Sequence, residues 1–172
     1  CLVAIIFSSG FGEIKNVSFK MEQQLLHAAP QSRIRFCGLN NLGFVNGFNK
    51  LSATSNQYSD QIPISNLVAF ATRFGAFSIG FTAQARNCGT GIGYFVNTGN
   101  QVDISLMDVL EVASDAECIK FVAAYLGWFC EGDTLICLVN KAMSFGKPLI
   151  VTKVRGKATG ARNITARWGE SL

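Results

Sequence analysis

The sequence predicts an α/β fold built on a parallel sheet. Two observations lead to this prediction: short apolar runs rich in Val, Ile and Phe recur along the chain, and segments with helical periodicity separate them. Runs without polar alternation are typical of parallel strands that helices cover on both faces. A chain of 172 residues, 49% of them hydrophobic and 15% charged, is long enough for a core and too apolar for disorder.

Six strands and four helices are predicted from these patterns. The strands are expected at Leu2–Phe7, Arg33–Cys37, Leu67–Thr72, Gly93–Val96, Ile119–Leu126 and Leu149–Thr152, and the helices at Val17–Ala29, Phe77–Asn87, Leu106–Ala113 and Thr134–Ser144. Pro30 should end the first helix because it lacks an N–H, and Ser105 is a typical N-cap for the third. Ligand-binding loops are expected at the carboxyl ends of the strands.

The polar interval from residue 47 to residue 65 interrupts the alternation of strands and helices. It is rich in Ser and Asn and sustains neither a helical nor a strand period. We therefore expect a connection between two units, or a loop that crosses between two sheets. The chain also begins abruptly in a predicted buried strand, without a methionine, which indicates a piece of a longer protein.

Charge and cysteine content exclude several classes of function. The net charge is +4, and six basic residues crowd into the end of the chain between 147 and 167. Because no aromatic residues alternate with them, an anionic small molecule or an acidic partner surface is favoured over nucleic acid.

The six cysteines form no C-x-x-C pair, and with a single histidine they predict neither a zinc site nor a disulfide framework. We expect reduced thiols in a cytoplasmic protein. The first residues lack the basic n-region of a signal peptide, so we expect them to be a strand and not a signal peptide. No apolar run approaches the roughly 20 residues that a membrane span needs.

Five motifs occur in the order of one known family. They are S-S-G-F-G-E at 8–13, C-G-L-N-N-L-G-F-V-N at 37–46, the strand and turn at 66–75, G-I-G-Y-F-V-N-T-G-N-Q-V-D at 91–103, and K-P-L-I-V-T-K at 147–153 with G-A-R at 160–162. Together they resemble the NDP-forming acyl-CoA synthetases, which are relatives of the succinyl-CoA synthetase α subunit. The resemblance spans essentially the whole chain.

The resemblance implies two structural units. Residues 66–172 should form a flavodoxin-like, doubly wound parallel sheet. Residues 1–47 should be the C-terminal remnant of a Rossmann-like CoA-binding domain, with a linker at 48–65. Coenzyme A or an acyl-CoA is the implied ligand, although the main CoA-binding motif lies outside this chain. An ATP-grasp domain or subunit is the implied partner, oligomer formation is compatible with the family, and no metal site is implied.

The resemblance also indicates which loops would form a site. The loop near the reactive end of CoA contains Gly38, Asn40, Asn41 and Gly43, of which Asn40 is the best candidate ligand and Asn41 replaces a family cysteine. The anion-binding loops contain Thr72, Arg73, Gly75, Gly99, Asn100 and Asp103. From the residues alone, Asn100 and Asp103 could equally fix their own turn, and the glycines could serve only tight turns.

Three positions depart from the phosphoryl-transfer chemistry of the family. Arg167 stands where the family has the phosphorylated histidine, and a guanidinium stays protonated and is a poor nucleophile. Gly127 stands where the family has a glutamate that orients this histidine. Phe74 replaces a hydroxyl residue of the turn that receives the phosphoryl group. The single histidine of the chain, His27, lies far away in sequence and is expected at the surface or its boundary.

Three hypotheses about function follow. The chain is a piece of an acyl-CoA synthetase whose catalysis needs other domains. Alternatively it is a non-catalytic module that senses acyl-CoA or an anion through Arg73 and Arg167, as in degenerate synthetase units fused to acetyltransferases, or a purely structural domain. Asp60, Glu131 and Asp133 are poor substitutes for the histidine because none is paired with a base or a metal cluster. The Phe-rich run 70–81 favours a core over a flavin site.

Overall fold

The computed structural model describes residues 3–9, 17–55, 66–127 and 132–153. Within these ranges the strands are β1 (Val3–Ile6), β2 (Arg35–Gly38), β3 (Gly43–Asn46), β4 (Leu51–Thr54), β5 (Val68–Thr72), β6 (Tyr94–Asn97), β7 (Phe121–Leu126) and β8 (Leu149–Lys153). The helices are α1 (Val17–Ser32), α2 (Gly75–Asn87), α3 (Leu106–Asp115) and α4 (Gly132–Ser144). All ten predicted elements are present, within a few residues of their expected ends.

Two sheets organise the described residues. β1 and β2 form a parallel pair, and the other six strands form one sheet in the order β4-β3-β6-β5-β7-β8. β5 to β8 are parallel, whereas β3 pairs antiparallel with both β6 and β4. The prediction of an α/β fold is confirmed, and the sheet is mixed rather than wholly parallel.

Strands β3 and β4 are absent from the sequence-based prediction. β4 lies inside the interval expected to be a connection. Its sequence, L-S-A-T, is short and only half apolar, which suits an edge strand. The prediction for α1 also differs, since the helix continues past Pro30 to Ser32. A proline this close to a helix end removes few hydrogen bonds, so it need not terminate the helix.

Two apolar clusters cover the faces of the larger sheet. On one face, α3 and α4 pack on side chains from β5, β7 and β8. On the other face, Phe81 and Ala85 of α2 pack on Phe70 and Phe95. The rings of Phe70 and Phe81 stack at 3.7 Å between centroids, which confirms that this part of the Phe-rich run belongs to the core.

Both ends of α3 are fixed by specific polar contacts. Ser105 and Asp108 form a reciprocal capping box at the start of the helix, which confirms the predicted N-cap. At the other end the buried ammonium group of Lys147 donates hydrogen bonds to the carbonyl oxygens of Ser114 and Ala116, at 2.6 and 2.8 Å. A cation at this position also offsets the negative end of the helix dipole.

Candidate functional site

The predicted site loops meet at one edge of the larger sheet. Parallel strands β5, β6 and β7 end there, and the loop after β2 joins them through backbone hydrogen bonds. The Thr98 N–H donates to the Thr72 carbonyl at 2.9 Å, and the Asn100 N–H donates to the Leu39 carbonyl at 2.8 Å. The structure therefore brings the predicted CoA loop and the predicted anion loops into direct contact.

The loop between β2 and β3 is built around the side chain of Asn41. This buried amide donates to the Cys37 carbonyl at 2.8 Å and accepts the Gly43 N–H at 2.9 Å, so it closes the loop from within. Asn40, in contrast, is exposed and has a left-handed backbone with φ of 51°. Of these two asparagines, Asn40 is thus the one whose side chain is accessible to a ligand.

Cys37 lies beneath this loop as an inert thiol. Burial raises its pKa to about 11, and the hydrogen bond from Asn41 opposes this shift only in part. Its Sγ lies 3.8 Å from the Asn97 carbonyl oxygen. A thiol with so high a pKa is protonated at neutral pH, so Cys37 is a core residue and not a nucleophile.

The loop after β6 approaches the loop after β2 so closely that a side chain would obstruct it. Gly99 has φ of 57°, and a Cβ there would overlap the Leu39 carbonyl oxygen and lie 2.6 Å from that of Asn40. Gly99 is therefore required by the contact between two loops and by its own backbone conformation.

Asp103 connects the two sheets. Its carboxylate accepts the Phe36 N–H at 2.7 Å and the Arg35 Nε–H at 2.8 Å. The Ile104 N–H also donates to the Phe36 carbonyl at 3.0 Å, and residues 100–104 thereby run alongside β2. The contacts of the Asp103 carboxylate thus hold β2 against the loop after β6, a role that neither the expected turn nor the expected ligand describes.

The turn between β5 and α2 directs its hydroxyl groups inward. Thr72 Oγ1 accepts the Phe74 N–H at 3.1 Å. Ser78 Oγ donates to the Phe74 carbonyl at 2.8 Å and accepts from Asn97 Nδ2 at 3.1 Å. Asn97 in turn accepts the Leu42 N–H at 2.9 Å. A network of buried side chains thus holds the turn, and Phe74, the N-cap residue of α2, provides no side-chain cap.

Phe74 and Gly127, two of the three positions expected from the resemblance to depart from the family, lie against each other. Gly127 follows β7, and a Cβ at this residue would come well within 3.0 Å of Cζ and Cε2 of Phe74. The Phe74 ring also packs edge to face on Tyr125, with centroids 5.6 Å apart. Tyr125 stacks on Phe77 at 3.5 Å. The ring of Phe74 therefore occupies the space that any larger side chain at 127 would need.

The sequence-based prediction missed several residues of this site. Arg35 lies within a strand, 68 positions from its partner Asp103. Ser78 and Asn97 are polar residues within otherwise apolar segments, and both are fully buried. A buried polar residue on a predicted core face is the one signal that could have identified them, since such groups need partners.

Other predicted residues lie apart from this site or outside the described ranges. His27 is exposed on α1, and Asp133 is exposed in the first turn of α4. Arg167, Asp60 and Glu131 lie outside the described residues, as does the motif at 160–162. Within the described ranges no three His, Cys, Asp or Glu side chains gather as metal ligands, and no helix is long and apolar enough to span a membrane.

Comparison with known proteins agrees with this geometry. Residues 65–171 match the family described as "Succinyl-CoA ligase like flavodoxin domain". The chain belongs to this family. The matched residues include strands β5 to β8 of the six-stranded sheet and the loops that follow β5 and β6 at its carboxyl edge.

The relatives of this flavodoxin domain are acyl-CoA ligases. The chain is 32% identical over 167 residues to the α subunit of ADP-forming acetate–CoA ligase I from Pyrococcus furiosus, covering 97% of this chain and 35% of that protein. It is 31% identical over 168 residues to the ADP-forming acetate–CoA ligase of Methanocaldococcus jannaschii, covering 96% of this chain and 23% of that protein. The chain therefore spans about a third or less of their length.

A solved structure resembles the whole chain. It is the dinucleotide-forming acetyl-coenzyme A synthetase 1 of Ca. Korarchaeum cryptofilum in complex with phosphate and ADP. The TM-score is 0.80 at 27% identity, and the match covers 97% of this chain and 35% of that one. The chain is thus a domain that resembles the α-subunit part of NDP-forming acyl-CoA synthetases.

Proposed function

We propose that the chain belongs to an acyl-CoA synthetase-like protein that does not itself perform phosphohistidine chemistry. The observation that carries this proposal is the contact between Phe74 and Gly127. By resemblance, position 127 would hold the glutamate that orients the histidine. A glutamate needs space beyond its Cβ, and the ring of Phe74 fills that space from the first atom.

The chemistry of the other positions supports the same proposal. Phosphoryl transfer through a side chain needs a nucleophile that loses its proton near neutral pH, as imidazole does. Arg167 remains protonated and cannot take the phosphoryl group. The turn at the start of α2 keeps one hydroxyl, that of Thr72, but this group accepts the Phe74 N–H. By the resemblance, the nucleophile and its orienting carboxylate are therefore replaced, and the hydroxyl that remains in the receiving turn is fully buried.

The remaining assignments are part of the same proposal. By the resemblance, residues 1–47 would complete a CoA-binding domain, 48–65 would be a linker and 66–172 the flavodoxin-like domain. The structure differs at 43–46 and 51–54, because β3 and β4 pair into the larger sheet. The exposed Asn40 would face the reactive end of CoA. A separate ATP-grasp domain or subunit is the expected partner, as the name "subunit alpha" of the Pyrococcus relative suggests. The free thiols at 37, 88, 118 and 137 fit a reducing cytoplasm.

Phosphate incorporation tests the proposal. The chain is incubated with radiolabelled ATP, CoA and acetate, and an aliquot also receives the β subunit of the Pyrococcus enzyme. The α subunit of that enzyme serves as the positive control. We expect no acid-labile label on this chain under conditions that label the control. Labelling that is lost in acid and kept in base would contradict the proposal.

A second candidate is a module that senses acyl-CoA or another anion. The observation that favours it is the position of Arg73, half-buried in the turn that precedes α2 at the carboxyl edge. Titration calorimetry with CoA and acetyl-CoA separates this function from a purely structural one. Measurable heat that Arg73→Ala abolishes would support sensing, whereas no heat at millimolar ligand would leave a structural role.

A further inference from the structure

We propose that Phe74 determines which ligands the carboxyl edge of the sheet accepts, and that it excludes phosphate and other small anions from the space between β5 and β7. This inference rests on the proposed function and extends it from the loss of a reaction to the chemistry of the altered site. Phe74 acts by occupying the space and by presenting an aromatic surface where an anion would need hydrogen-bond donors.

The position of Phe74 follows from the register of the sheet. Thr72, at the end of β5, pairs with Tyr125 of β7. Phe74 and Gly127 each lie two residues farther along, so they face each other across the ends of the two strands. A side chain at either position must share one space with the other, and here the end of the Phe74 ring lies where a Cβ at 127 would be.

The ring is held in place by its neighbours. Tyr125 contacts it edge to face, and Phe77 stacks on the same tyrosine with an interplanar angle of 8°. Moving the Phe74 ring away would expose Gly127 and break the contact with Tyr125. The edge-to-face contact with Tyr125 favours this ring position, although Phe74 is 37% exposed.

The Phe74 ring itself is an unfavourable surface for an anion. The face of an aromatic ring carries partial negative charge, and burying an anion without hydrogen bonds is costly. The nearby hydroxyls of Thr72 and Ser78 are engaged with the backbone and with Asn97. The backbone N–H groups at the start of α2 would attract an anion, but the N-cap residue, Phe74, contributes an aromatic ring and no side-chain hydrogen-bond donor.

Replacing the ring tests this directly, with inorganic phosphate as the probe. Phe74→Ser removes the ring and supplies a hydroxyl at the N-cap. Phe77→Ser is the matched control, because Phe77 is equally exposed, at 37%, and lies in the first turn of the same helix. Phosphate binding is measured by titration calorimetry and by the broadening of the phosphate resonance in phosphorus NMR, with circular dichroism verifying that each variant is folded.

We expect Phe74→Ser to bind phosphate at least about tenfold more tightly than the wild-type chain, and Phe77→Ser to remain at the wild-type level. Equal phosphate affinity in the wild-type chain and in Phe74→Ser would overturn the inference, as would an equal gain in Phe77→Ser. Neither result would affect the proposed function, which depends on phosphate transfer to the chain and not on reversible binding.

A second measurement covers the case in which Phe74→Ser does not fold. Gly127→Ala in the wild-type background forces a Cβ into the ring and should lower the melting temperature by about 5 °C. Gly127→Ala combined with Phe74→Leu should recover part of that loss, because the smaller side chain can move aside. A Gly127→Ala variant as stable as the wild type would contradict the claim that the ring fills this space.

Discussion

Replacing Asp103 with alanine should loosen β2 from the loop that follows β6. The carboxylate accepts hydrogen bonds from the Phe36 N–H and from Arg35 Nε. Alanine would leave the half-buried Phe36 N–H without its acceptor. Arg35, whose side chain is 57% exposed, would simply be solvated by water. The backbone hydrogen bond is therefore the larger of the two losses.

The size of each loss can be estimated separately. A hydrogen bond to an ionised group contributes about 1.5–3 kcal/mol, whereas an exposed ion pair contributes about 0.2–1 kcal/mol. Asp103→Ala should therefore lower the free energy of unfolding by about 2–4 kcal/mol, and Arg35→Ala by no more than about 1 kcal/mol. Asp103→Asn keeps a carbonyl oxygen for the Phe36 N–H, so its cost should lie between these values.

Urea denaturation followed by circular dichroism measures these costs in the same buffer. Added salt should reduce the effect of Arg35→Ala and leave most of the effect of Asp103→Ala, because salt screens the exposed ion pair more than the backbone bond. The reasoning is refuted if Arg35→Ala is as costly as Asp103→Ala. It is also refuted if Asp103→Ala lowers the free energy of unfolding by less than about 1 kcal/mol, since the hydrogen bonds to the carboxylate would then contribute little to stability.

Three further predictions concern stability. Lys147→Met removes the buried ammonium that donates to the last carbonyls of α3, so chemical denaturation should reveal a loss of about 2–4 kcal/mol; wild-type stability would contradict the capping role. The Cys37 thiol, with its pKa of about 11 against an ordinary 9.0, favours the folded state in its protonated form. The stability that this raised pKa gives the folded state is fully present below pH 9 and is lost as the pH rises toward 11, because the thiol of the unfolded chain releases its proton first. Unfolding measured across that range should depend less on pH in Cys37→Ala. Gly99→Ala should cost roughly 1–3 kcal/mol in thermal denaturation, because φ is positive and the neighbouring carbonyl is in the way; an unchanged melting temperature would contradict this contact.

The sequence is sufficient to predict the strands and helices because each carries its own local pattern. β7, for example, is apolar on both faces, and its alternate residues Val122, Ala124 and Leu126 are fully buried. β3 and β4 carry no such pattern. β3 is short and continues directly from a loop, and β4 pairs on one side only. The strand structure of β3 depends on pairing with β6, which is distant in sequence and cannot be inferred from a local window, and β4 depends in turn on pairing with β3.

The site could be predicted in part. Parallel strands place their carboxyl ends at one edge, so the predicted loops meet there as expected. The resemblance also predicts that Phe74 and Gly127 are departures from the family. It does not reveal that these two residues touch, because the contact depends on the register between β5 and β7. For the same reason, nothing local to Asp103 indicates Arg35 as its partner.

Intact mass spectrometry tests the central claim most directly. The protein is incubated with acetyl-CoA and inorganic phosphate, then with ATP and the β subunit of the Pyrococcus relative, and its mass is measured without acid treatment. We predict an unmodified chain under conditions in which the α subunit of the relative gains a phosphoryl group. A stoichiometric phosphoryl adduct on this chain would contradict the claim that Phe74, Gly127 and Arg167 together replace a phosphohistidine site.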